Sequence, residues 1–471
     1  MEIVPLIIVI VYLLLMLAVG YIANKFFIKN SSDYMLAGRS LPAIMVACSL
    51  AANNIGGGST VGLAGKAYGD WGMSAVWYVL AAAIGIIPMA FFAPKLRRVM
   101  AYTIPEVVGR RFGKTSHIIT SILNIISLFC LTASQVLASG IIISQLVGLD
   151  LNLAIIIGAA FTIIYTAMGG LLADAFTDLF QWAIIFFGLL IAVPFVIHGV
   201  GGWDKIVAAV PPAKMSINGM GVALVISLIG QYFITFMSGP EMVSRVFSAK
   251  DEKAGRNAVL LSALFMALFA FIPAIIGIAA SVAFPGIPAS SALPTSVFSL
   301  APKWVSGLVC AAIIASTMSS ADSDMLCAST IFTKDIYQKY INPKVADKSL
   351  ITMTRAGNII IGLCAMIIAL FQINIITLNV FSFMLRAAGP FGAFILGLTM
   401  TKVSKHSGIV SILVGSAVGI GWQIMNQPFG ILPIIAGSVA SILAFLITSY
   451  IEIKITKEVA PSVEMNVESK E

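Results

Sequence analysis

Three serines and an aspartate lie close together in one otherwise apolar stretch of the chain. Ser316, Ser319 and Ser320 are three and four residues apart, so in a helix their hydroxyls share one face. Hydroxyl and carbonyl oxygens suit a hard cation such as sodium, and they avoid the desolvation cost of several buried carboxylates. Asp322 favours a cation site further, because a lone carboxylate at this depth needs a positive partner. The alternative, equally open from the sequence, is that the hydroxyls bond back to their own helix.

A second polar stretch covers residues 49–60, where Asn53, Asn54 and the triplet Gly56–Gly58 interrupt an apolar segment. Each glycine costs a helix about 1 kcal/mol, so the stretch predicts a helix that unwinds in its middle. Unwound backbone at membrane depth is tolerated where it lines a cavity or holds an ion or substrate. The alternative is a close helix crossing through small residues, which does not account for the asparagine pair.

Two more features inside apolar segments indicate a transport site. Residues 235–241 read Thr-Phe-Met-Ser-Gly-Pro-Glu and predict a second helix interruption, or else an ordinary proline kink. Paired interruptions in corresponding halves of a chain are typical of transporter binding sites. Arg386 needs a partner in the membrane; it either binds a substrate carboxylate or pairs internally with Asp322 or Glu241, and the internal pair is slightly favoured.

The elements that position these residues are membrane-spanning helices. The 471 residues are 59% apolar and only 10% charged, whereas roughly a quarter of a soluble domain is charged. A ten-residue apolar and polar alternation, the pattern of barrel strands, does not recur. The sequence contains no nucleophile elbow, zinc motif or phosphate-binding loop and leaves no room for a soluble domain. Function is therefore expected inside the membrane, in a transporter or channel rather than an enzyme.

Apolar runs bounded by charge, proline and glycine predict thirteen spans. They start near residues 4, 42, 73, 118, 152, 177, 221, 257, 303, 352, 375, 407 and 429. Spans two to six and seven to eleven form two halves of five, and an odd number makes the halves inverted repeats. The predicted divisions are a leading helix and loop (1–41), the first repeat (42–200), the second repeat (221–401), two trailing helices (402–455) and a cytoplasmic tail (456–471).

The net charge of +8 follows from basic residues in alternate loops. One side of the membrane carries nearly all of them, and the other carries only Lys66, Lys205, Lys214 and Lys303. The positive-inside rule then predicts a multi-pass cell-membrane protein with its N-terminus outside and its C-terminus in the cytoplasm. Because the charge has this topological explanation, nucleic acid is not an expected partner; the lipid bilayer is. The basic side is assigned Lys25, Lys29, Arg39, Lys95, Arg97, Arg98, Arg110, Arg111, Lys114, Arg245, Lys250, Lys253, Arg256, Lys334, Lys339, Lys344, Lys348, Arg355, Lys402, Lys405, Lys454, Lys457 and Lys470.

Several short motifs in a fixed order carry a family resemblance along almost the whole chain. They are residues 32–40 (Ser-Asp-Tyr-Met-Leu-Ala-Gly-Arg-Ser), 103–113 (Thr-Ile-Pro-Glu-Val-Val-Gly-Arg-Arg-Phe-Gly), 165–171 with Thr177 and Asp178, and 319–323 with 333–337. With these motifs the chain resembles the sodium:solute symporter family, which transports proline, pantothenate, sialic acid, glucose or choline with sodium. The resemblance implies an all-α, LeuT-like fold of five plus five inverted helices with about 13 transmembrane helices, and Na+ as coupling ion without another cofactor.

The resemblance also implies ion ligands, position by position. Some family members have a second sodium site that uses an aspartate at the position of Asp178, to which Asp322 could add. The main sodium site would comprise the carbonyls of Ala52, Ile55 and Ser316 and the hydroxyls of Ser319 and Ser320.

The substrate is expected to be a small carboxylate or zwitterion. Asn54 stands where proline-type members have aspartate, and Ser59 stands where sugar-type members have glutamine, so neither assignment follows directly. The glycine triplet is expected to leave room beside the backbone. The predicted substrate contacts are Asn53, Asn54, Gly57, Ser59, Gln135, Ser238 and Arg386.

Two other functions remain open at this point. A proton-coupled transporter of the same fold would carry its proton on Asp178, Asp322 or Glu241 and would work without sodium. A transporter-like sensor or channel would bind the solute without concentrating it. Sodium-dependent accumulation of a solute separates the symporter from both.

Overall fold

The structure, a computed structural model, is built from helices. It describes residues 3–373, 375–457 and 459–461, so the predicted tail lies mostly outside the described residues. Within that part, extended pairing is limited to one backbone bridge between Leu41 and Ala249. The helices are α1 Ile3–Phe27, α2 Ser31–Leu36, α3 Ala43–Asn54, α4 Leu63–Tyr68, α5 Trp77–Ile86, α6 Met89–Val99, α7 Ile104–Phe112, α8 Lys114–Val147, α9 Leu151–Val200, α10 Trp203–Ala209, α11 Pro212–Met215, α12 Val222–Ser238, α13 Pro240–Ser248, α14 Glu252–Phe269, α15 Phe271–Ala283, α16 Ala292–Leu300, α17 Lys303–Ile331, α18 Asp347–Leu370, α19 Ile375–Phe383, α20 Pro390–Thr399, α21 Ser407–Ile424 and α22 Pro433–Thr456.

Helix α17 forms the centre of the bundle. Nearly all of its residues are buried, and it packs against α1, α3, α8 and α9. Its many alanines and serines let these neighbours approach closely, as small residues do in membrane helix packing. The serine patch of α17 is therefore held inside the protein and away from lipid.

The predicted interruption of the second span is confirmed. Helix α3 ends at Asn54, and Ile55 leaves helical geometry with φ −90° and ψ 72°. The helix resumes as a π-helical turn over Gly58–Gly62 and continues as α4. The glycine triplet thus lies at the break, where its weak helical preference predicts it.

The second predicted interruption is also confirmed. Helices α12 and α13 meet at an angle of 57° on either side of Gly239. A third irregularity, a π-helical turn over Met384–Ala388 between α19 and α20, was not expected from the sequence and contains Arg386. The first two broken segments contact α17, whereas the third packs against α8 and α12.

Helix α9 crosses the bundle twice. Its 50 residues span about 75 Å as a straight helix, more than twice the roughly 30 Å of a hydrocarbon core. Gly170, with φ 58° and ψ −172°, breaks it near its middle. Leu151 at its start lines the same cavity as Gly69, and Lys214, which follows the end of α9 after the short helix α10, donates to the Gly69 carbonyl at 3.0 Å. Both ends therefore lie at one face, and the chain reverses at Gly170.

The number of spans stays a prediction. Among the described residues, nine helices are long and apolar enough to cross a membrane, or up to eleven if each bent pair is one span. The expected number is thirteen. The structural count is lower because it treats α9 as one helix and because α3 and α4 are each too short to cross a membrane alone. The boundaries of the two repeats likewise stay predictions.

The basic loops gather on one face, as their alternation predicts. Guanidinium groups there donate to carbonyls of neighbouring loops: Arg39 to Met100 at 2.9 Å and Arg97 to Ala249 at 2.6 Å. The opposite face is the one at which α1 and α17 begin, where Pro5 borders Gly307. We refer to this second face as the N-terminal face and to the first as the basic face.

Replacing Gly170 by alanine should destabilise the protein. The φ of +58° is one that other residues rarely adopt, and the new Cβ would lie 2.5 Å from the Tyr34 carbonyl oxygen. Strain of this kind costs about 1 to 3 kcal/mol, and the steric overlap adds to it. We expect a lower thermal unfolding midpoint of the purified protein in detergent.

Gly421→Ala is the matched control for this substitution. Gly421 lies inside α21, and a Cβ there meets no atom within 4 Å. Alanine in a helix is more stable than glycine by roughly 1 kcal/mol, so this variant should keep or raise the midpoint. Equal midpoints for the two variants would contradict the assigned role of Gly170.

Candidate functional site

A cavity of about 700 Å³ opens at the N-terminal face and reaches the break of the second span. Gly57 and Gln135 line its deep end, and Asn379 of α19 faces it as well. Lys66 and Asp70 line it nearer the mouth. Its volume falls in the range of about 300–1,000 Å³ that is usual for small-molecule sites.

The glycine triplet is packed more tightly than expected. A Cβ added to Gly56 would lie 3.1 Å from both terminal atoms of Gln135 and 3.2 Å from Ser320 Oγ. One added to Gly58 would lie 3.3 Å from the Tyr78 hydroxyl. The glycines therefore admit neighbouring side chains to close contact on one side, whereas the room expected beside this backbone lies where Gly57 and Gly58 line the cavity.

The serine patch of α17 touches the end of α3. Ser320 Oγ donates to the Asn53 carbonyl at 2.7 Å, one residue before α3 ends. Within the described chain, the carbonyls of Ala52 and Ile55 accept no hydrogen bond, because the residues that would donate to them lie in the break. Unpaired carbonyls and serine hydroxyls thus come together at one point.

The alternative of hydroxyls bonding to their own helix holds for one member of the patch. Ser316 Oγ donates to the Ile313 carbonyl at 2.8 Å, whereas Ser319 Oγ donates to Asp178 Oδ1 on α9. The Ser320 hydroxyl contacts both helices, since it also lies 3.1 Å from the Ser316 carbonyl of its own helix. The ligand expected from Ser316 is its carbonyl, so its hydroxyl is not needed for a cation.

Beside this patch lies a buried guanidinium that sequence reasoning missed. Arg245 of α13 is 1% exposed although it was assigned to a basic loop. The available sequence signal was the helical spacing of its apolar neighbours Met242, Val243, Val246 and Phe247, all of which are buried. Arg245 contacts Ser49 Oγ at 2.7 Å, the Glu241 carbonyl at 3.0 Å, Asp174 Oδ2 at 2.9 Å, Ser323 Oγ, and Asp178 Oδ2 at 3.6 Å.

The two residues expected at a second sodium site differ in their surroundings. Asp178 accepts hydrogen bonds from Ser49 and Ser319 and lies beside Arg245. Asp322 Oδ1 accepts from the Ser323 N–H at 2.7 Å, while Oδ2 is buried with no partner among described residues. Arg245 lies nearer to Asp174 (2.9 Å) than to Asp178 (3.6 Å), so this one guanidinium does not neutralise all three buried carboxylates. The second sodium site stays a prediction.

Comparison with known proteins identifies the family to which the chain belongs. A family model described as the sodium:solute symporter family matches residues 34–415. This chain belongs to the sodium:solute symporter family. Relatives of this symporter include the osmoregulated proline transporter OpuE of Bacillus subtilis (strain 168), 28% identical over 94% of this chain and 93% of that protein. The sodium/proline symporter of Staphylococcus aureus (strain bovine RF122 / ET3-1) is 27% identical, over 97% and 94% respectively.

A solved structure shows the same fold. A Na+-coupled sialic acid symporter, in a substrate-bound outward-open state, superposes with a TM-score of 0.85 at 21% identity, over 98% of this chain and 99% of that chain. The all-α, LeuT-like fold expected for this symporter is therefore confirmed. The chain is a multi-pass membrane transporter that imports a solute with sodium by alternating access, and it is not an enzyme.

In this symporter Arg386 forms the internal pair. Its guanidinium contacts the Glu241 carboxylate, and both side chains are buried. The pair sits against the break between α12 and α13, where a Cβ on Gly239 would lie 2.9 Å from Glu241 Oε1. It therefore joins the α12–α13 break to the π-helical turn before α20. A substrate contact by Arg386 stays a prediction that this pairing does not favour.

The other expected substrate contacts do not all face the cavity. Gly57 and Gln135 line it, and Asn53 has a buried amide nitrogen without a partner in the described chain. The remaining three turn elsewhere: Asn54 towards Met266 Sδ at 2.7 Å, Ser59 to the Asn54 carbonyl at 3.2 Å and Ser238 to the Ile234 carbonyl at 2.6 Å. Sequence periodicity gave no signal for Asn379 or Lys66 as cavity residues.

A double-mutant cycle distinguishes an internal ion pair of Arg386 with Glu241 from a contact of Arg386 with the substrate. Arg386→Met or Glu241→Gln alone leaves one buried group without its partner, which typically costs about 3 to 5 kcal/mol for a charge. We expect each single variant to lower the unfolding midpoint and the double variant to recover part of the loss. The double variant should also keep the wild-type KM for the transported solute.

The KM of the double variant shows whether Arg386 binds the substrate. If Arg386 binds the substrate carboxylate, the KM rises whenever Arg386 is replaced, whatever stands at position 241. Uptake kinetics in proteoliposomes together with the unfolding midpoints measure both quantities.

Proposed function

We propose that this symporter binds one sodium ion between the break of the second span and α17, and uses it to import a small carboxylate or zwitterion. The orientation is the one predicted from charge, with the N-terminal face outside and the basic face in the cytoplasm. The observation that carries the proposal is the contact of Ser320 with the last turn of α3, beside two carbonyls that the break leaves without donors.

The ion would be held by neutral oxygens. Sodium replaces the hydrogen bonds that a broken helix lacks, so its binding compensates the cost of the break. The proposed ligands are the carbonyls of Ala52, Ile55 and Ser316 and the hydroxyl oxygens of Ser319 and Ser320.

Neighbouring groups orient the two hydroxyls. Ser319 gives its proton to Asp178, and Ser320 gives its proton to the Asn53 carbonyl. The lone pairs of both oxygens are then left for a cation. Asp178 supports the site in this way without contributing a direct ligand.

Sodium binding and solute binding are coupled through the glycine break. An ion that ties Ala52 and Ile55 to α17 also fixes the adjoining Gly57, which lines the cavity. We therefore expect solute affinity to rise with sodium. Moving one charge inward contributes about 2.3 kcal/mol per 100 mV of membrane potential, which allows a neutral solute to be concentrated well over tenfold.

The break also offers hydrogen-bond donors to the solute. Among the described residues the N–H groups of Gly56 and Gly57 have no acceptor, and Gly57 faces the cavity. Backbone N–H groups that open a helix favour an anion such as a carboxylate. Two relatives are named as proline transporters, and proline is a zwitterion with one carboxylate.

The closed basic face supports an outward-facing state. Thr103 Oγ1 donates to Asp335 Oδ2 at 2.6 Å, and His117 Nε2 lies 2.8 Å from Asp335 Oδ1. These contacts join α7, α8 and the segment after α17 at that face. Under alternating access they would have to separate for release into the cytoplasm, while the cavity at the N-terminal face closes.

Ser319→Ala and Ser320→Ala test the proposed sodium site. Each removes one ligand oxygen, so the sodium concentration for half-maximal uptake should rise about tenfold or more, and the double variant should lose accumulation. The measurement is radiolabelled uptake into proteoliposomes at varied sodium, with a panel of amino acids, monocarboxylates, pantothenate, choline and sugars.

Ser316→Ala is the matched control. It removes a hydroxyl that faces Ile313 and keeps the carbonyl that would bind the ion, so its sodium dependence should stay near that of wild type. Accumulation that ignores sodium but follows an acid-outside gradient would overturn the sodium site and support proton coupling. Solute binding without accumulation would support a sensor.

A further inference from the structure

Lys66 occupies an unusual place in the cavity. It is the one basic residue among the described residues that line the cavity, and it is half-buried on α4. Other polar groups in the lining include the amides of Gln135, Gln145 and Asn379 and the carboxylate of Asp70. A cation in an otherwise mostly apolar wall acts strongly on anions, because the low surrounding dielectric and limited solvent weaken screening.

The ammonium of Lys66 is held by aromatic rings rather than by a carboxylate. Its Nζ lies 4.0 Å from the centre of the Trp71 ring and 5.7 Å from that of Tyr78. In the described chain it forms no ion pair with Asp70, which is exposed. Helix α4 ends before Gly69, so Asp70 does not lie one helical turn beyond Lys66.

This arrangement leaves the ammonium able to bind a ligand. Ring faces attract the positive charge but accept none of its N–H groups in the way that an oxygen does. The three donors of Lys66 therefore remain available to an anion entering the cavity. A purely structural ammonium would be expected to satisfy its donors with carbonyl or carboxylate oxygens.

Lys66 lies well above the glycine break. Eight residues of helical backbone separate it from Gly58, a rise of about 12 Å. On α8 the deep Gln135 and the shallower Gln145 are separated by a similar distance along the helix. The cavity therefore extends from the glycine break towards Lys66. Tyr78 lies between the two ends, because its hydroxyl adjoins Gly58 and its ring centre is 5.7 Å from Lys66 Nζ.

We propose that Lys66 is a docking site for the carboxylate of the incoming solute, which binds there first and then moves to the glycine break. This inference rests on the proposed function, and it names the substrate class as solutes that carry a carboxylate. The docking step raises the local concentration of carboxylates above the central site. It distinguishes them from neutral analogues before the sodium-dependent site is reached.

The test compares Lys66→Gln and Lys66→Arg with wild type in proteoliposomes under a fixed sodium gradient. The probes are radiolabelled L-proline and L-lactate, with their carboxamides as competitors of uptake, and any other panel solute that wild type accumulates. Lys205→Gln is the control, because Lys205 is an exposed lysine on α10, outside the cavity lining.

We expect Lys66→Gln to raise the apparent KM for carboxylates about three- to tenfold while the maximal rate stays near wild type. Lys66→Arg should restore most of the affinity, and Lys205→Gln should change neither quantity. Inhibition by lactamide, which is neutral, should be the same in all variants, and inhibition by prolinamide, which is a cation, should not weaken in Lys66→Gln. Raising ionic strength with choline chloride should reduce the difference between wild type and Lys66→Gln, because salt screens the attraction.

Three results would overturn the inference. One is an unchanged KM for carboxylates in Lys66→Gln. Another is an equal effect on carboxylates and carboxamides, which would show that Lys66 only positions Trp71. The third is a wild type that accumulates only solutes without a carboxylate, which would leave sodium coupling intact. If wild type accumulates no solute under a sodium gradient, the proposed function fails as well.

Discussion

The whole arrangement depends on how one buried positive charge is compensated. The guanidinium of Arg245 is buried, so each of its donors needs an acceptor from a packed helix. Those acceptors come from α3, α9, α13 and α17. Asp178, which lies beside it, also accepts from Ser319 of the serine patch. The geometry of the proposed ion site thus depends on the same contacts that hold the four helices together.

Much of the fold could be predicted from the sequence because the relevant signals are local. Apolar length gives the spans, glycine at 56–58 and 239 gives the breaks, and alternate basic loops give the two faces. Arg245 could not be placed this way, since it is followed by Lys250 and other cations that do lie in a loop. A charge near the end of a span satisfies the positive-inside pattern whether it points into the loop or back into the bundle.

Part of the candidate site could also be predicted, because the signals for that part are local. Ser319 and Ser320 each lie one helical turn beyond Ser316, so grouping the three serines required only that this side of the helix be buried. Asn54 and Lys66 depend instead on contacts with residues far away or on the exact end of a helix: Asn54 turns to Met266, and Lys66 stacks on Trp71 after α4 stops. Periodicity carries no information about such contacts, because it gives the face of a helix and not its neighbour.

The reversal at Gly170 has a consequence for biosynthesis. Two crossings joined without a hydrophilic loop give the insertion machinery no polar segment at which to pause between them. The absence of such a segment favours insertion of the two halves of α9 together, as a hairpin. A chain that failed to turn at Gly170 would begin α12 on the wrong side of the membrane, against the preference of the basic residues that follow it.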